Sequence, residues 1–329
     1  MKVLVVGGTR FVGRHIVRAL IDRGHDVTLL HRSATDLFPS AEHLLGDRDG
    51  DLAVLAGRTF DATVDACAYF PRQVRHLLDV LGEGAGRYVL ISSQSVYDEP
   101  AAPWYDESSR LFEPASDDVD AVDDETYGPL KVACEQAATE RCGDRALLIR
   151  PTYVVGPWDY TQRFTYWVRR LSEGGEVLGP GDADDPVQVI DARDLAAFVA
   201  LAIEKGLSGP YSLVGPESLQ TFRAMLDDVA VAVAPSGTRI TWVDRDWLLA
   251  QGEDDTTVPL WRASEHPWTS TSDPGRALAD GLRLRSVRQS AAEILDHLRA
   301  GPTSGQDRGL TRAREAELLA AWHAQHPGA

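Results

Sequence analysis

The sequence predicts an α/β protein whose core is a doubly wound parallel sheet. Short continuous apolar runs, of the kind that forms strands buried on both faces, alternate along the chain with segments whose apolar residues recur at helical spacing. This alternation is typical of parallel sheets that carry helices on both faces and are joined by right-handed crossovers. A glycine-rich turn between the first strand and the first helix favours the same fold.

The predicted elements follow one another in the order that such a sheet requires. Strands are expected at residues 3–6, 27–30, 44–45, 62–64, 88–91 and 146–149, and helices at 11–21, 74–81 and 127–141. Between the strand at 88–91 and the helix at 127–141, residues 98–125 are acidic and contain three prolines. Because loops of this length are uncommon without a role, we expect either a lid over a binding site or a solvated surface excursion.

The chain is expected to contain one sheet domain and one smaller region. Residues 1–155 form the sheet domain, residues 156–300 form an α+β region from which some strands and helices return to the sheet, and residues 301–329 form a linker and a terminal helix. Aromatic residues become frequent after Pro157. Those between residues 158 and 167 either line an apolar pocket or belong to a core.

Charge and composition argue against several classes of partner. The net charge of −17 repels phosphate backbones and no basic run offsets it, so we expect no nucleic-acid partner. No apolar run approaches the roughly 20 residues that span a bilayer, so we expect no membrane partner. The first apolar run is too short for a signal peptide, and the three cysteines fit no metal or redox motif. These features favour a cytoplasmic protein without a bound metal.

The segment from Gly7 to Gly13, between the first strand and the first helix, is a predicted phosphate-binding turn. The first turn of a helix leaves backbone N–H groups unpaired, and the helix dipole favours an anion there. Glycine allows the backbone to approach a pyrophosphate closely. We therefore expect cofactor contacts from Gly7, Thr9, Arg10, Phe11, Val12 and Gly13.

A tyrosine and a lysine four residues apart, Tyr127 and Lys131, form the candidate acid–base pair. Residues at this spacing share one face of a helix. A tyrosine is a poor base at neutral pH, but a nearby ammonium group favours the phenolate and lowers the pKa of a tyrosine. Such a tyrosine can pass a proton to or from a carbinol oxygen while a nicotinamide carries the hydride.

These motifs resemble those of the extended short-chain dehydrogenase/reductases, in the NAD-dependent epimerase/dehydratase group. The order of the glycine turn, a strand-end serine cluster, Tyr127 and Lys131 matches the family across about the first half of the chain. The resemblance implies a Rossmann fold and a catalytic set of Ser93, Tyr127 and Lys131, of which the last two also contact the cofactor. Arg10 replaces the middle glycine of the usual Gly-x-x-Gly-x-x-Gly turn, as in atypical members that include chloroplast stem-loop RNA-binding proteins.

The residues after the second strand favour NADP(H) over NAD(H). In NAD-specific members an acidic residue closes this strand and binds the ribose hydroxyls, whereas here Arg32 follows the strand. Arg10 and Arg32 would both attract a 2′-phosphate. The resemblance also implies that Asp47 and Arg48, after the third strand, contact the adenine, and that Ala68 lines the ribose side of the cofactor.

The resemblance assigns the region after residue 155 mainly to the substrate. Tyr153 stands where nucleotide-sugar enzymes often carry asparagine, and Val187 where they carry a phosphate-binding arginine. A buried diphosphate needs paired charges, so we expect no nucleotide-diphosphate sugar unless Arg163 or Arg169 compensates. Ser95 occupies a position where some dehydratases carry an acid, which argues against a dehydratase. The candidate substrate contacts are Ser95, Tyr153 and Arg163.

Three functions are compatible with the sequence. The leading hypothesis is an NADP(H)-dependent reductase or dehydrogenase that acts on a carbonyl or alcohol of a small metabolite. The second is an epimerase or dehydratase that keeps its cofactor bound and recycles the hydride. The third is a non-catalytic NADP-binding or RNA-associated protein. Family members often dimerise through a helix bundle, so the helix that begins at Tyr127 is a candidate interface for a homodimer.

Overall fold

In a computed structural model the chain forms two compact units, each assembled from separate stretches of sequence. The structure describes residues 1–98, 102–263, 270–301, 305 and 308–327. The first unit comprises Met1–Val154, Ala192–Glu217 and Ser272–Leu284, and the second comprises Val155–Asp191, Ser218–Thr271 and Arg285–Ala329. Residues 99–101 of the acidic segment, and residues 302–304, 306 and 307 of the predicted linker, lie outside the described residues.

The strands and helices alternate over much of the chain. In chain order the strands are β1 (Lys2–Val6), β2 (Asp26–His31), β3 (Glu42–Leu45), β4 (Ala62–Asp65), β5 (Arg87–Ile91), β6 (Ala146–Pro151), β7 (Tyr153–Val155), β8 (Glu176–Pro180), β9 (Val189–Asp191), β10 (Gly209–Leu213) and β11 (Arg239–Val243). The helices are α1 (Phe11–Asp22), α2 (Pro71–Leu81), α3 (Tyr127–Cys142), α4 (Arg163–Ser172), α5 (Ala192–Lys205), α6 (Phe222–Val233), α7 (Arg245–Ala250), α8 (Gly275–Ala279), α9 (Val287–Ala300) and α10 (Arg312–Gln325). Within the described part of the chain, none of these helices has the length and apolar character needed to cross a bilayer.

Seven parallel strands form the sheet of the first unit, in the order β10-β6-β5-β4-β1-β2-β3. Val3, Leu4 and Val5 of the central strand β1 are fully buried, as expected of a strand covered on both faces. Helices α1 and α5 pack as one pair, and α2 and α3 as another. The predicted doubly wound sheet is therefore confirmed, with each predicted strand present to within two residues at either end and β10 as an additional strand.

The strand order reverses between β1 and β4, which determines where a ligand can bind. Val6, the last residue of β1, pairs with Leu30 of β2 on one side and with Asp65 of β4 on the other. In open parallel sheets the crevice for a ligand lies beyond the carboxyl ends of the strands at this reversal. The segments that follow β1, β2, β4 and β5 therefore surround the expected binding position.

The acidic segment is packed against the first unit over part of its length. The Tyr105 ring contacts the Tyr97 ring at a centroid distance of 4.9 Å, and the N–H of Phe112 donates to the carbonyl of Val96 at 2.9 Å. Leu111 and Phe112 pack on a small apolar cluster formed by Val96, Tyr97, Tyr105 and Val132. A wholly solvated excursion is therefore wrong for residues 105–112, whereas residues 120–125 are exposed.

The second unit has an aromatic core of its own. Phe164 and Trp167 are buried, and the Trp167 indole N–H donates to the carbonyl of Pro259 at 2.8 Å. The Trp167 ring also lies 5.5 Å from the ring of Phe222. Of the two roles considered for the aromatic residues at 158–167, Phe164 and Trp167 therefore have the core role, whereas Trp158 is 41% exposed.

The terminal helix α10 is anchored in the second unit by a buried ion pair. The Glu315 carboxylate accepts a hydrogen bond from Arg170 Nε at 2.5 Å and another from the N–H of Leu178 at 3.0 Å. The side chains of Arg170 and Glu315 are each only 2% exposed. A buried charge is tolerated when it is paired and hydrogen-bonded, so removal of Glu315 leaves the Arg170 guanidinium without a carboxylate, whereas Glu315 is also paired with Arg312.

We predict that Glu315→Ala lowers the free energy of unfolding by about 3–5 kcal/mol, because it leaves the Arg170 guanidinium buried without its partner. Urea denaturation measures the change. The matched control is Glu317→Ala on the same helix, since the Glu317 side chain is 68% exposed and its ion pair with Arg314 spans 3.5 Å. If the Glu315→Ala variant unfolded at the same urea concentration as the wild type, the Arg170–Glu315 pair would not anchor α10.

Candidate active site

The turn between β1 and α1 leaves the N-terminus of the helix without a side-chain cap. Arg10 is the N-cap residue of α1, with an extended backbone (φ −121°), and its side chain makes no capping hydrogen bond. The first turn of α1 also contains no acidic residue. Neither a capping side chain nor an acidic side chain thus competes with an anion at this helix end, which the helix dipole makes favourable for negative charge.

Two glycines allow this turn to close tightly. Gly7 has a φ of +84°, in the left-handed region that favours glycine. A Cβ atom on Gly13 would lie 2.1 Å from the carbonyl oxygen of Gly7, and a Cβ atom on Gly7 would lie 2.8 Å from Cys67 Sγ. Side chains are thus excluded from both positions, which fits the close approach of a dinucleotide pyrophosphate to the backbone. Among the other predicted contacts Phe11 is buried, Thr9 and Val12 are half-buried, and Arg10 is exposed.

Two of the residues predicted to bind the adenosine end of the cofactor follow neighbouring strands. Arg32 is exposed directly after β2, and Asp47 is exposed two residues after the end of β3. The ends of these strands lie side by side, because His31 pairs with Leu45. The Asp47 carboxylate accepts the N–H of Asp49 at 3.1 Å, so it also shapes its own turn.

The Arg48 side chain, which was predicted to contact the adenine, is engaged by a buried carboxylate. Its two terminal nitrogens donate to the two carboxylate oxygens of Asp65 at 2.6 and 2.7 Å, and one of them also lies 3.2 Å from Cys67 Sγ. Asp65 is fully buried and accepts a third hydrogen bond from the Tyr88 hydroxyl at 2.7 Å. A carboxylate at this depth requires a cation, and Arg48 is the residue that supplies it.

The pKa of Asp65 reflects this pairing. Burial by itself raises the pKa of the carboxyl group, but the charge and hydrogen bonds of Arg48, with the hydrogen bond from Tyr88, lower the pKa below its usual value. The carboxylate is therefore ionised at neutral pH. The stability that it contributes is present above the ordinary pKa of an aspartate and is lost as the pH falls through the lowered value.

Lys131 connects α3 to the carboxyl ends of two strands. Its ammonium group donates to the carbonyl of Ala68, which follows β4, at 2.7 Å and to the carbonyl of Ile91, which ends β5, at 3.0 Å. The side chain is buried, and Nζ lies 5.8 Å from the centre of the Tyr127 ring and 5.2 Å from that of Tyr69. An ammonium group has three donors, so within the described residues one donor remains for a ligand. The family resemblance pointed to Ala68, but the sequence pointed neither to Ile91, which contributes only a backbone carbonyl, nor to Tyr69, whose ring lies near the ammonium group.

Ser93 lies at the turn that ends β5. It caps a short 3₁₀ helix, Gln94–Val96, and its hydroxyl oxygen accepts the N–H of Ser95 at 3.1 Å. The same hydroxyl donates to the Ser95 hydroxyl at 3.1 Å. The side-chain amide of Gln94 donates to the carbonyl of Arg150 on β6 at 2.8 Å, so the turn is held to the sheet.

The start of α3 approaches this serine turn closely. A Cβ atom on Gly128 would lie 2.3 Å from the carbonyl oxygen of Ser95, so only glycine fits at this position. Tyr127 is the neighbouring residue and the first residue of α3. The structure thus brings the turn with Ser93 and Ser95 next to the beginning of the helix that carries Tyr127 and Lys131.

A buried network fixes α3 on β6. Arg150 donates to both carboxylate oxygens of Glu135, at 3.0 and 2.6 Å, and to the Tyr97 hydroxyl at 2.9 Å. Glu135 and Arg150 are both buried, and Glu135 lies one helical turn after Lys131. Burial raises the pKa of Tyr97, so this hydroxyl keeps its proton at neutral pH. The helix therefore holds Tyr127 and Lys131 in one position along the sheet.

The predicted substrate contacts are distributed over both units. Ser95 and the half-buried Tyr153 belong to the first unit, whereas Arg163, the first residue of α4, belongs to the second. Within the described residues, no group of three or more His, Cys, Asp or Glu side chains is arranged to hold a metal ion.

Comparison with known proteins yields one family model and several distant relatives. The model of the NAD dependent epimerase/dehydratase family matches residues 3–213. The chloroplast stem-loop binding protein of 41 kDa b from Arabidopsis thaliana is 28% identical over 260 residues, which cover 72% of this chain but only 63% of the relative. The 2-alkyl-3-oxoalkanoate reductase of Stenotrophomonas maltophilia is 26% identical over 71% of this chain and 76% of the relative.

A solved structure supports the fold. The UDP-N-acetylglucosamine 4-epimerase of Bacillus cereus superimposes with a TM-score of 0.68 over 92% of this chain and 98% of its own, at 18% identity. Identity at this level is evidence for the fold alone.

We predict that Arg48→Met lowers the free energy of unfolding by about 3–5 kcal/mol, because it leaves the Asp65 carboxylate buried without a cation. Urea denaturation measures the loss. Adding Asp65→Asn to this variant removes the uncompensated charge and restores part of the stability. The control is Arg141→Met, whose ion-pair partner Asp79 is 52% exposed and whose loss costs less than about 1 kcal/mol. Equal losses in the two single variants would contradict the role assigned to Arg48.

Proposed function

Because the chain belongs to the NAD dependent epimerase/dehydratase family, we propose that it is an NADP(H)-dependent oxidoreductase that acts on a carbonyl or alcohol of a small metabolite. The observation that carries the proposal is the position of Lys131. Its ammonium group is held by the carbonyls of Ala68 and Ile91 beside the Tyr127 ring, next to the turn that contains Ser93. This arrangement supplies a proton donor, a positive charge and a hydroxyl group at the carboxyl ends of β4 and β5.

In this proposal the cofactor is held along the ends of β1, β2 and β4. The backbone from Gly7 to Gly13 binds the pyrophosphate, and the remaining donor of Lys131 binds the nicotinamide ribose. Arg32, with Arg10, pairs with a 2′-phosphate through charge-assisted hydrogen bonds. When bound, the nicotinamide supplies a hydride to a carbonyl carbon or accepts one from a carbinol carbon.

The proton chemistry belongs to the side chains of α3 and of the serine turn. In the reductive direction the Ser93 hydroxyl turns away from the Ser95 hydroxyl and donates its proton in a hydrogen bond to the carbonyl oxygen, which holds that oxygen beside Tyr127. The Tyr127 hydroxyl gives its proton to that oxygen as the alcohol forms. The Lys131 ammonium group then stabilises the phenolate that remains, and the tyrosine recovers a proton from solvent. Oxidation of an alcohol follows the same steps in reverse.

The substrate class follows from the side chains that are present at the expected contact positions. Tyr153 and Val187 stand where a diphosphate would need an amide and a cation, so the proposed substrate is not a nucleotide-diphosphate sugar. In this proposal Ser95 and Tyr153 of the first unit contact the substrate, and the contact from Arg163 stays a prediction from the sequence. The Stenotrophomonas maltophilia relative is named for the reduction of 2-alkyl-3-oxoalkanoates, so small oxoacids are suitable first probes.

An epimerase or dehydratase that retains its cofactor is the second candidate, because it would use the same residues. It converts substrate without a matching consumption of external NADPH, whereas a reductase oxidises one NADPH for each product. The name of the Arabidopsis relative points to stem-loop binding, but a net charge of −17 opposes contact with a phosphate backbone. A homodimer and a cytoplasmic location stay predictions.

We predict that Tyr127→Phe lowers turnover by about 100-fold or more, because the proton transfer to the substrate oxygen is lost. Oxidation of NADPH in the presence of a panel of small oxoacids and ketones measures turnover, and calorimetry checks that NADPH still binds. The control is Tyr211→Phe, which removes a hydroxyl that hydrogen-bonds Asp280 at 2.8 Å. Full turnover in the Tyr127→Phe variant would rule out the proposed proton donor.

We predict that Arg32→Gln weakens the binding of NADP+ by about tenfold and leaves that of NAD+ unchanged, because the guanidinium pairs with the 2′-phosphate. Ligand-induced shifts in melting temperature give the two affinities. Arg18→Gln on α1 is the control, since its side chain is 68% exposed and pairs with Asp22. If Arg32→Gln weakened both dinucleotides equally, the arginine would not select between them.

A further inference from the structure

An exposed aromatic ring lies beside the proposed acid–base pair. The centre of the Tyr69 ring lies 5.2 Å from Nζ of Lys131 and 6.4 Å from the centre of the Tyr127 ring, and the two ring planes are tilted by 47°. Tyr69 follows Ala68, whose carbonyl accepts a hydrogen bond from the same ammonium group at 2.7 Å. Although it lies next to both residues of the pair, Tyr69 is 40% exposed. The proposed proton transfer does not use this ring, so its position indicates a further role.

The backbone of Tyr69 is fixed by the first turn of α2. The side-chain carbonyl of Gln73 accepts the N–H groups of Tyr69 and Phe70 at 2.9 and 3.2 Å. Gln73 is buried, and its amide nitrogen donates to the Asp49 carboxylate at 2.7 Å. Both the oxygen and the nitrogen of this amide are thus engaged, so the segment after β4 is held to α2 and to the loop after β3. The ring of Tyr69 therefore extends from a backbone with a defined position.

Phe70, the next residue, carries a second aromatic ring with a different partner. The guanidinium carbon of Arg72 lies 4.0 Å from the centre of the Phe70 ring, which is a stacking distance. Nζ of Lys131 lies farther from the rings beside it, at 5.2 Å from the centre of Tyr69 and 5.8 Å from that of Tyr127. Phe70 is also half-buried, whereas Tyr69 is exposed. One short segment thus holds two aromatic residues in fixed backbone positions, and Tyr69 is the one next to the acid–base pair.

From this geometry we propose that Tyr69 is a specificity-determining residue, which selects planar, conjugated carbonyl compounds by stacking its ring on their π system. The inference rests on the proposed function, because it takes Tyr127 as the proton donor. A carbonyl oxygen that receives this proton lies within about 3 Å of the Tyr127 hydroxyl. The group attached to the carbonyl carbon then lies within reach of the Tyr69 ring.

The shape of the attached group decides how well it covers the ring. An aryl or alkenyl group that is conjugated with the carbonyl is coplanar with it and offers a flat π face, whereas a saturated ring of similar size is puckered. Aromatic pairs gain free energy beyond that of the buried area, and exposed ring surface gains more when it is removed from water. The nicotinamide is also planar, so the cofactor is the alternative partner of this ring. In the proposal the substrate takes that place, because Tyr69 adjoins the proton donor.

Titration with a matched pair of ketones tests the inference without turnover. Acetophenone carries a phenyl ring conjugated with its carbonyl, and cyclohexyl methyl ketone carries a saturated ring in its place. Each ketone is titrated into the NADP+ complex of the wild-type chain and into the cofactor-free chain, and ligand-observed nuclear magnetic resonance gives the dissociation constants. Because NADP+ has no hydride to give, neither ketone is reduced. In both forms the wild type is expected to bind acetophenone about fivefold more tightly than cyclohexyl methyl ketone.

Three variants identify the ring that is responsible. Tyr69→Phe keeps the ring and should keep the ratio of the two affinities. Tyr69→Leu keeps an apolar side chain without a π face and should bring this ratio to about one. Phe70→Leu is the matched control and should keep the ratio, because it removes the neighbouring ring, whose backbone is held by the same Gln73 carbonyl. The affinity of Tyr69→Leu for NADP+ should change by less than about twofold.

The outcomes separate this inference from the proposed function. Equal binding of the two ketones to the wild type, no binding of either, or a preference that persists in Tyr69→Leu would overturn selection by Tyr69, while the Tyr127→Phe variant still tests the proton donor. If Tyr69→Leu lost affinity for NADP+ but not for 2′-phospho-ADP-ribose, which lacks the nicotinamide, the ring would serve the cofactor and the inference would be wrong. If NADP+ did not bind to the wild type, the proposed function would be contradicted, and the titrations of the cofactor-free chain would still decide the role of Tyr69. The wild-type measurements stand even if a variant fails to fold.

Discussion

The arrangement of the active site depends on one buried ammonium group, that of Lys131. By donating to the carbonyls of Ala68 and Ile91, it joins α3 to the carboxyl ends of β4 and β5. These two strands lie next to each other in the sheet, so one side chain sets the position of the helix relative to both. A buried ammonium group must be hydrogen-bonded, and the two carbonyls satisfy this requirement while leaving one donor for a ligand.

Two buried ion pairs hold the elements around Lys131 in place. Arg48, after β3, pairs with Asp65 at the end of β4, and Glu135, one helical turn after Lys131, pairs α3 with Arg150 on β6. Each pair is buried, so loss of one partner costs much more stability than the intact pair adds. The turn at Gly7 packs against Cys67, which contacts Arg48. The proposed phosphate turn and the proposed acid–base residues are therefore parts of one connected structure.

The fold could be predicted from the sequence because strands buried on both faces read as apolar runs, and because the glycine turn has a specific place between β1 and α1. Tyr127 and Lys131 lie on one helix, as their four-residue spacing predicted, because that prediction depends only on helical periodicity. What the sequence did not reveal depends on contacts between distant residues. Arg48 meets Asp65 from another strand end, and Ile91 contributes through its backbone. A return of later elements to the sheet was expected, but no local pattern shows that β10 and α8 are among the elements that belong to the first unit.

The most direct test of this account is the distance between Lys131 Nζ and the nicotinamide ribose in a crystal structure of the chain with NADP+. The account predicts a hydrogen bond of about 3 Å from the third donor of Lys131, with the carbonyls of Ala68 and Ile91 still accepting the other two. A dinucleotide bound elsewhere, or a Lys131 side chain that leaves both carbonyls when the cofactor binds, would contradict it.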